Sequence, residues 1–199
     1  MAIRDHSPHL ASVLNRYKIP TQLLDPIFDL AINLGGLDEQ DFTRTEGSSY
    51  NPRPARLGLI LVDNAKVTNP LAIAVGMMAC VGSDVGRFSE RLSDLAPNIR
   101  DQLLSLLNEA SIPITSWAEE SLSLEARTIS LAVLLDRARH AHLSELAIRL
   151  ELLEQIKTEM ELGLRYAEDL EPKLWQLLKS WCDRYSMLAI QTQKLRANQ

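Results

Sequence analysis

Asp136 and His140 stand four residues apart in Leu131-Ala-Val-Leu-Leu-Asp136-Arg-Ala-Arg-His140. On a helix that spacing brings both side chains to one face. A carboxylate and an imidazole so placed can be two ligands of one metal ion, or an ion pair beside a helix C-terminus, where a cationic histidine is favoured. Arg137, Arg139 and His142 complete a short basic cluster there, which solvation and the helix dipole also explain. Of the other histidines, His6 and His9 sit in an N-terminal stretch expected to be solvated. The two cysteines, Cys80 and Cys182, lie far apart in apolar surroundings and read as reduced, buried thiols of a cytoplasmic protein. The chain contains no paired CxxC, Gly-rich phosphate loop, HExxH or GxSxG.

The elements that must position these residues are helices. Ser7-Pro8 reads as an N-cap and first turn of a helix to about Tyr17. Thr21 is the expected cap of a second helix, stopped by Gly35-Gly36. Residues 44–54 are the most loop-like stretch, followed by a helix from Pro54 to Asn64. Thr68-Asn69-Pro70 opens an apolar helix to about Val81, whose near-continuous hydrophobicity implies burial on most sides. Further helices are expected over 84–95, 97–110, 122–140, 144–168 and 171–194, with Pro113 as a break. Trp175, Leu178, Cys182 and Tyr185 form a stripe on the last of them; a core stripe is expected, and an exposed one would mark an interface. Glu161 and Arg165 have the i,i+4 spacing of a surface pair, and Glu151, Glu154, Glu159 and Glu161 read as a solvated face. No repeat, sustained heptad or strand alternation is present. The expected fold is all-α, a single irregular bundle of eight or nine helices, with residues 1–19 as an N-terminal helical extension and 20–199 as the main domain.

Composition agrees. Of 199 residues, 35 are leucine, while glycine (8), proline (9) and aromatics (5%) are scarce, which excludes disordered, collagen-like and low-complexity chains and argues against a β-sandwich. The net charge of −5 is spread over both halves, so the chain lacks the basic face of a nucleic-acid-binding protein. The longest apolar stretch, Leu71 to Val81, is shorter than a membrane span, and no membrane association is expected.

The stretch Arg44-Thr-Glu-Gly47-Ser-Ser-Tyr50-Asn-Pro-Arg53-Pro54 resembles the entry to the (p)ppGpp hydrolase domain of RelA/SpoT-type enzymes, part of the HD superfamily. That pattern has an Arg, a Gly three residues on, a Tyr six on, and His-Pro nine and ten on; Arg44, Gly47, Tyr50 and Pro54 match it, and Arg53 replaces the metal-binding His. Ala55 to Ala74 is similar to the helix, turn and helix that follow in the family. The family's His-Asp pair aligns with Ala79 and Cys80, and its Glu-Asp pair with Ser83 and Asp84. Its last metal ligand aligns with Asp136, and the Asn that reads the guanine edge with His140. The resemblance, over about residues 20–190, implies an HD-like helical bundle whose site would gather Arg44, Tyr50, Arg53, Arg56, Asp84, Asp136, Arg137 and His140.

Three of the four metal-ligand positions then hold Arg53, Ala79 and Cys80. A guanidinium offers no lone pair, alanine offers no ligand, and thiolate suits soft metals rather than Mn²⁺ or Mg²⁺. The reading is a non-catalytic HD-like regulatory or binding module, with no catalytic residue, metal or cofactor, acting through a protein partner, as a homo-oligomer, or by holding a guanine nucleotide. Arg53 would pair with Asp136 as an internal bridge, or with Arg44 and Arg56 present positive charge to a phosphate-bearing ligand. The alternatives are a Mn²⁺-dependent phosphohydrolase with a rearranged site of Asp84, Asp136, His140 and Cys80, and a purely structural helical interaction protein.

Overall fold

Helices make up most of the described residues, and no strand occurs among them. The computed structural model describes residues 3–36, 52–79, 91–140, 146–167 and 170–197. In chain order the helices are α1 (Ile3–His6), α2 (Pro8–Arg16), α3 (Leu24–Ala31), α4 (Arg53–Leu59), α5 (Pro70–Ala79), α6 (Pro97–Ala110), α7 (Leu124–His140), α8 (Leu146–Arg165) and α9 (Pro172–Ala197). Helices α3 and α4 each widen at the C-terminal end into a π turn, Ile32–Gly36 and Ile60–Asn64, and a 3₁₀ turn at Ile114–Ser116 follows α6. The all-α irregular bundle expected from the sequence is thus the fold found. The expected helix at 84–95 lies mostly outside the described residues.

Helix α5 is the centre of the packing. Every residue from Ala72 through Met78 is buried, and the helix packs against α3, α4, α6 and α7. A helix apolar on all sides can be satisfied only in such a place. Gly76 lets it approach α4 closely, because a Cβ there would collide with the Leu61 side chain. Pro70 supplies the first turn, and the Asn69 Oδ1 accepts from the Leu71 amide at 3.0 Å.

Residues 3–19, the described part of the expected extension, share this core. Ile3, Leu10, Val13, Leu14 and Ile19 are buried within it, and the Ile3 amide donates to Asp25 Oδ1 of α3 at 2.8 Å. Ser7 caps α2 as its sequence suggests, its Oγ accepting from the Leu10 amide at 3.4 Å. The end of α2 carries no such sequence mark. Lys18 adopts the left-handed conformation, with φ 55°. Lys18 N donates to Asn15 O and Ile19 N to Leu14 O, the paired bonds of a Schellman cap. Burial of Ile19 beside Leu14 holds a lysine where glycine is the usual choice.

Two local expectations are corrected. Helix α3 begins at Leu24, and Thr21 contributes its backbone carbonyl to the Asp25 amide (2.8 Å) rather than a side-chain cap. Glu161 pairs with Lys157, one turn before it, at 3.5 Å.

Candidate functional site

Helix α4 lies across α7 where α7 carries Asp136, which is 1% exposed. Arg53 and Arg56, one turn apart, share a face of α4 and reach the same carboxylate. Arg56 grips it with two bonds: Nε donates to Oδ1 at 2.9 Å and Nη2 donates to Oδ2 at 3.2 Å. Arg53 Nε lies 3.4 Å from Oδ2. Bidentate guanidinium–carboxylate pairing is the strong, geometrically selective form of the contact. It also answers how a charge can sit in the interior, since an unpaired carboxylate would be costly there. The internal bridge between Arg53 and Asp136 is therefore present, and Arg56 supplies its better half.

Arg139 follows Asp136 by three residues and stands on the same face of α7. Burial pushes its guanidinium below the ordinary value, and the Asp136 charge opposes that shift. Arg137 is placed otherwise. Successive residues on a helix diverge by about 100°, and Arg137 donates instead to Glu159 Oε2 of α8 at 2.7 Å, while Glu159 Oε1 accepts from Gln155 Nε2 at 2.8 Å. This pair lines a separate groove of about 370 Å³, walled by Ala79, Ile114, Ser130 and Val133 among others. Of the residues expected to form one site, Arg53, Arg56 and Asp136 meet, and Arg137 does not join them. His140 closes α7 one turn beyond Asp136. Arg44, Tyr50, Cys80, Ser83 and Asp84 lie outside the described residues.

The described donor set does not fit a hard divalent cation. Both oxygens of Asp136 accept from guanidinium, Arg53 and Arg56 are donors only, and Ala79 offers nothing. Among the described residues no group of three or more His, Cys, Asp or Glu side chains could hold a metal ion.

Behind the site, α9 is tied to α7 by Tyr185, whose hydroxyl donates to the Ala138 carbonyl at 2.6 Å. Leu178, Cys182 and Tyr185 are buried, so that part of the aromatic stripe is core as expected, and Trp175 is half-buried. Burial raises the Cys182 thiol and pushes the Tyr185 phenol up to about 12 from its ordinary value of 10.0. Below pH 10 the phenol is protonated in folded and unfolded chains alike. Between about pH 10 and 12 only the unfolded chain sheds this proton, so stability falls as pH rises through that window. Tyr185→Phe is expected to cost about 1 kcal/mol at neutral pH by stranding the carbonyl, and to flatten the alkaline fall. Urea denaturation of both proteins between pH 7 and 12 checks both effects.

The sequence placed Arg139 in the basic cluster beside Asp136 and Tyr185 in a core stripe, but neither among the site residues nor as a tether to α7. The signal for Arg139 was its i,i+3 spacing from Asp136; for Tyr185 nothing local marked a tether 47 residues away. Compared with protein-family models, with curated proteins and with solved structures, the chain matches none. Among the described residues, no helix is long and apolar enough to cross a membrane.

Proposed function

We propose that the chain is a non-catalytic HD-like regulatory or binding module, similar to the (p)ppGpp hydrolase domain of RelA/SpoT-type enzymes but without its metal chemistry. It works in the cytoplasm through a protein partner or a second copy of itself, or by holding a guanine nucleotide such as (p)ppGpp. The observation that carries this reading is the grip of Arg56 and Arg53 on Asp136. At the position where the resemblance expects a metal ligand, the carboxylate is occupied by cations that the chain itself supplies. A guanidinium bridge keeps two helices together with no ion, and it removes the Lewis acid that would lower the pKa of an attacking water. The pattern Arg44, Gly47, Tyr50 and Pro54 supports the likeness to the family, and the shortage of basic surface supports a partner other than nucleic acid.

A (p)ppGpp hydrolysis assay with excess Mn²⁺ tests the reading. No turnover above buffer is expected from the purified chain. Turnover that follows the protein through gel filtration and stops on chelation would overturn the reading in favour of a phosphohydrolase with a rearranged site.

A further inference from the structure

Among the described residues two large apolar side chains stand in solvent, Leu124 at 47% and Met187 at 63% exposed. They mark opposite ends of the α7–α9 pair. Tyr185 of α9 is bonded to Ala138 near the end of α7. Leu124 and Glu125, which open α7, line one pocket of about 250 Å³ with Leu170 and Glu171, which precede α9. The two helices therefore run in the same direction, and the helical rise carries Met187 roughly 24 Å beyond Glu171. The pocket is acidic on balance. Glu125 and Glu171 line it with one ammonium, Lys66, which already bonds to the Tyr17 hydroxyl at 2.8 Å and the Asp63 carbonyl at 2.9 Å. Lys173, at the start of α9, is likewise held by the Asp63 carbonyl at 3.0 Å. The far end of α9 is the reverse, with Arg184, Lys194 and Arg196 and no acid from Arg184 onward. Between the two ends Lys173, Gln176, Ser180, Asp183 and Met187 form an exposed stripe at the spacing of one helix face, with the small Ser180 at its middle. Arg184 is exposed beside this stripe and stacks over the Trp181 ring at 5.1 Å.

We propose that this face of α9 is a dimer interface: a second copy of the chain lies antiparallel across Ser180, and each copy seats Met187 beside Leu124, and Arg184 beside Glu125 and Glu171, of the other. A two-fold axis at Ser180 exchanges the two ends of α9, so both sets of contacts form at once and the assembly closes as a dimer. The apolar contact takes both exposed side chains out of water. The charges set the direction. A parallel arrangement would lay the basic end of α9 on its own copy, whereas the antiparallel one lays it on carboxylates. The inference rests on the second-copy arm of the proposed function and names its surface. A module acting through a different protein would keep the non-catalytic reading without this interface.

Light scattering on the full chain is the test, followed from about 5 µM to about 500 µM, the range in which a small and largely polar interface associates. The mass is expected to rise from 22.3 kDa to twice that value. Met187→Asp and Arg184→Glu, both at exposed positions, are each expected to raise the midpoint by about tenfold or more, with the circular dichroism of the helices unchanged. Glu171→Arg is expected to do the same. Mixed in equal amounts, the Arg184→Glu and Glu171→Arg proteins are expected to associate as the parent does, because each reversed charge then meets its complement across the interface. Damage to the fold by either substitution would not be undone by mixing. A mass of 22.3 kDa throughout the range would overturn the interface, while the hydrolysis assay still decides the non-catalytic reading. A dimer indifferent to Met187→Asp and to both charge reversals would keep a second copy as the partner and overturn this surface.

Discussion

Asp136→Asn is expected to destabilise the chain by about 3–5 kcal/mol, enough to leave a marginal domain largely unfolded. The substitution keeps size and shape and removes only the charge. Arg53 and Arg56, with side chains 23% and 15% exposed, would then face a neutral amide at a buried position, and water would reach them only in part. The cost is that of two half-buried cations deprived of the buried carboxylate that neutralises them, which exceeds the net worth of the bridge. Replacing the whole cluster reveals this asymmetry. Asp136→Leu combined with Arg53→Leu and Arg56→Met is expected to lose far less than Asp136→Asn alone, because an apolar contact replaces the bridge without stranding anything. Urea denaturation followed by circular dichroism measures both. An Asp136→Asn protein as stable as the parent, within about 0.5 kcal/mol, would mean that the bridge is not engaged in solution.

The second large effect is expected far from the bridge. Phe28 on α3 is fully buried, and its ring lies 6.2 Å from that of His6 on α1. Phe28→Ala is expected to cost about 3–5 kcal/mol, the transfer free energy of the ring plus the cavity it leaves. Residues 3–19 pack into the same core as α3, so the loss is expected to move one cooperative transition for the entire chain. Coincident unfolding curves from near-UV and far-UV signals check this. A separate early transition, with the main one unshifted, would show that α1 to α3 fold apart from the rest.

The sequence made much of this architecture legible because its punctuation is strong where it exists. Ser7-Pro8, Asn69-Pro70 and Pro97 each open a helix where the rules for N-caps and first-turn prolines place it. The unbroken apolar run of α5 could only be a central helix. What stayed hidden was structure whose cause is tertiary. Lys18 and Lys66 both adopt left-handed conformations that glycine usually announces. The π turns at Ile32–Gly36 and Ile60–Asn64 shift the helical period over too few residues for a hydrophobic pattern to register.

At the site, residue types said that Arg53 could not be a metal ligand, and alignment of Asp136 with a ligand position suggested their pairing. The contact spans more than eighty residues of chain, and no local signal ranked Arg56 above Arg53. Only the direction of the α4 face did so, presenting the Arg56 fork to both carboxylate oxygens. Arg137 was misplaced for a related reason. It is adjacent to Asp136 in sequence, but adjacency on a helix means a different face, and its partner is Glu159.

The central claim is that guanidinium groups stand where a metal would be held. Titration of Mn²⁺ into the purified chain, followed by the paramagnetic resonance signal of the free ion, tests it most directly. The account expects the free-ion signal to match that of buffer at every addition. A saturable loss of one equivalent of signal, absent from the folded protein that combines Asp136→Leu, Arg53→Leu and Arg56→Met, would contradict it.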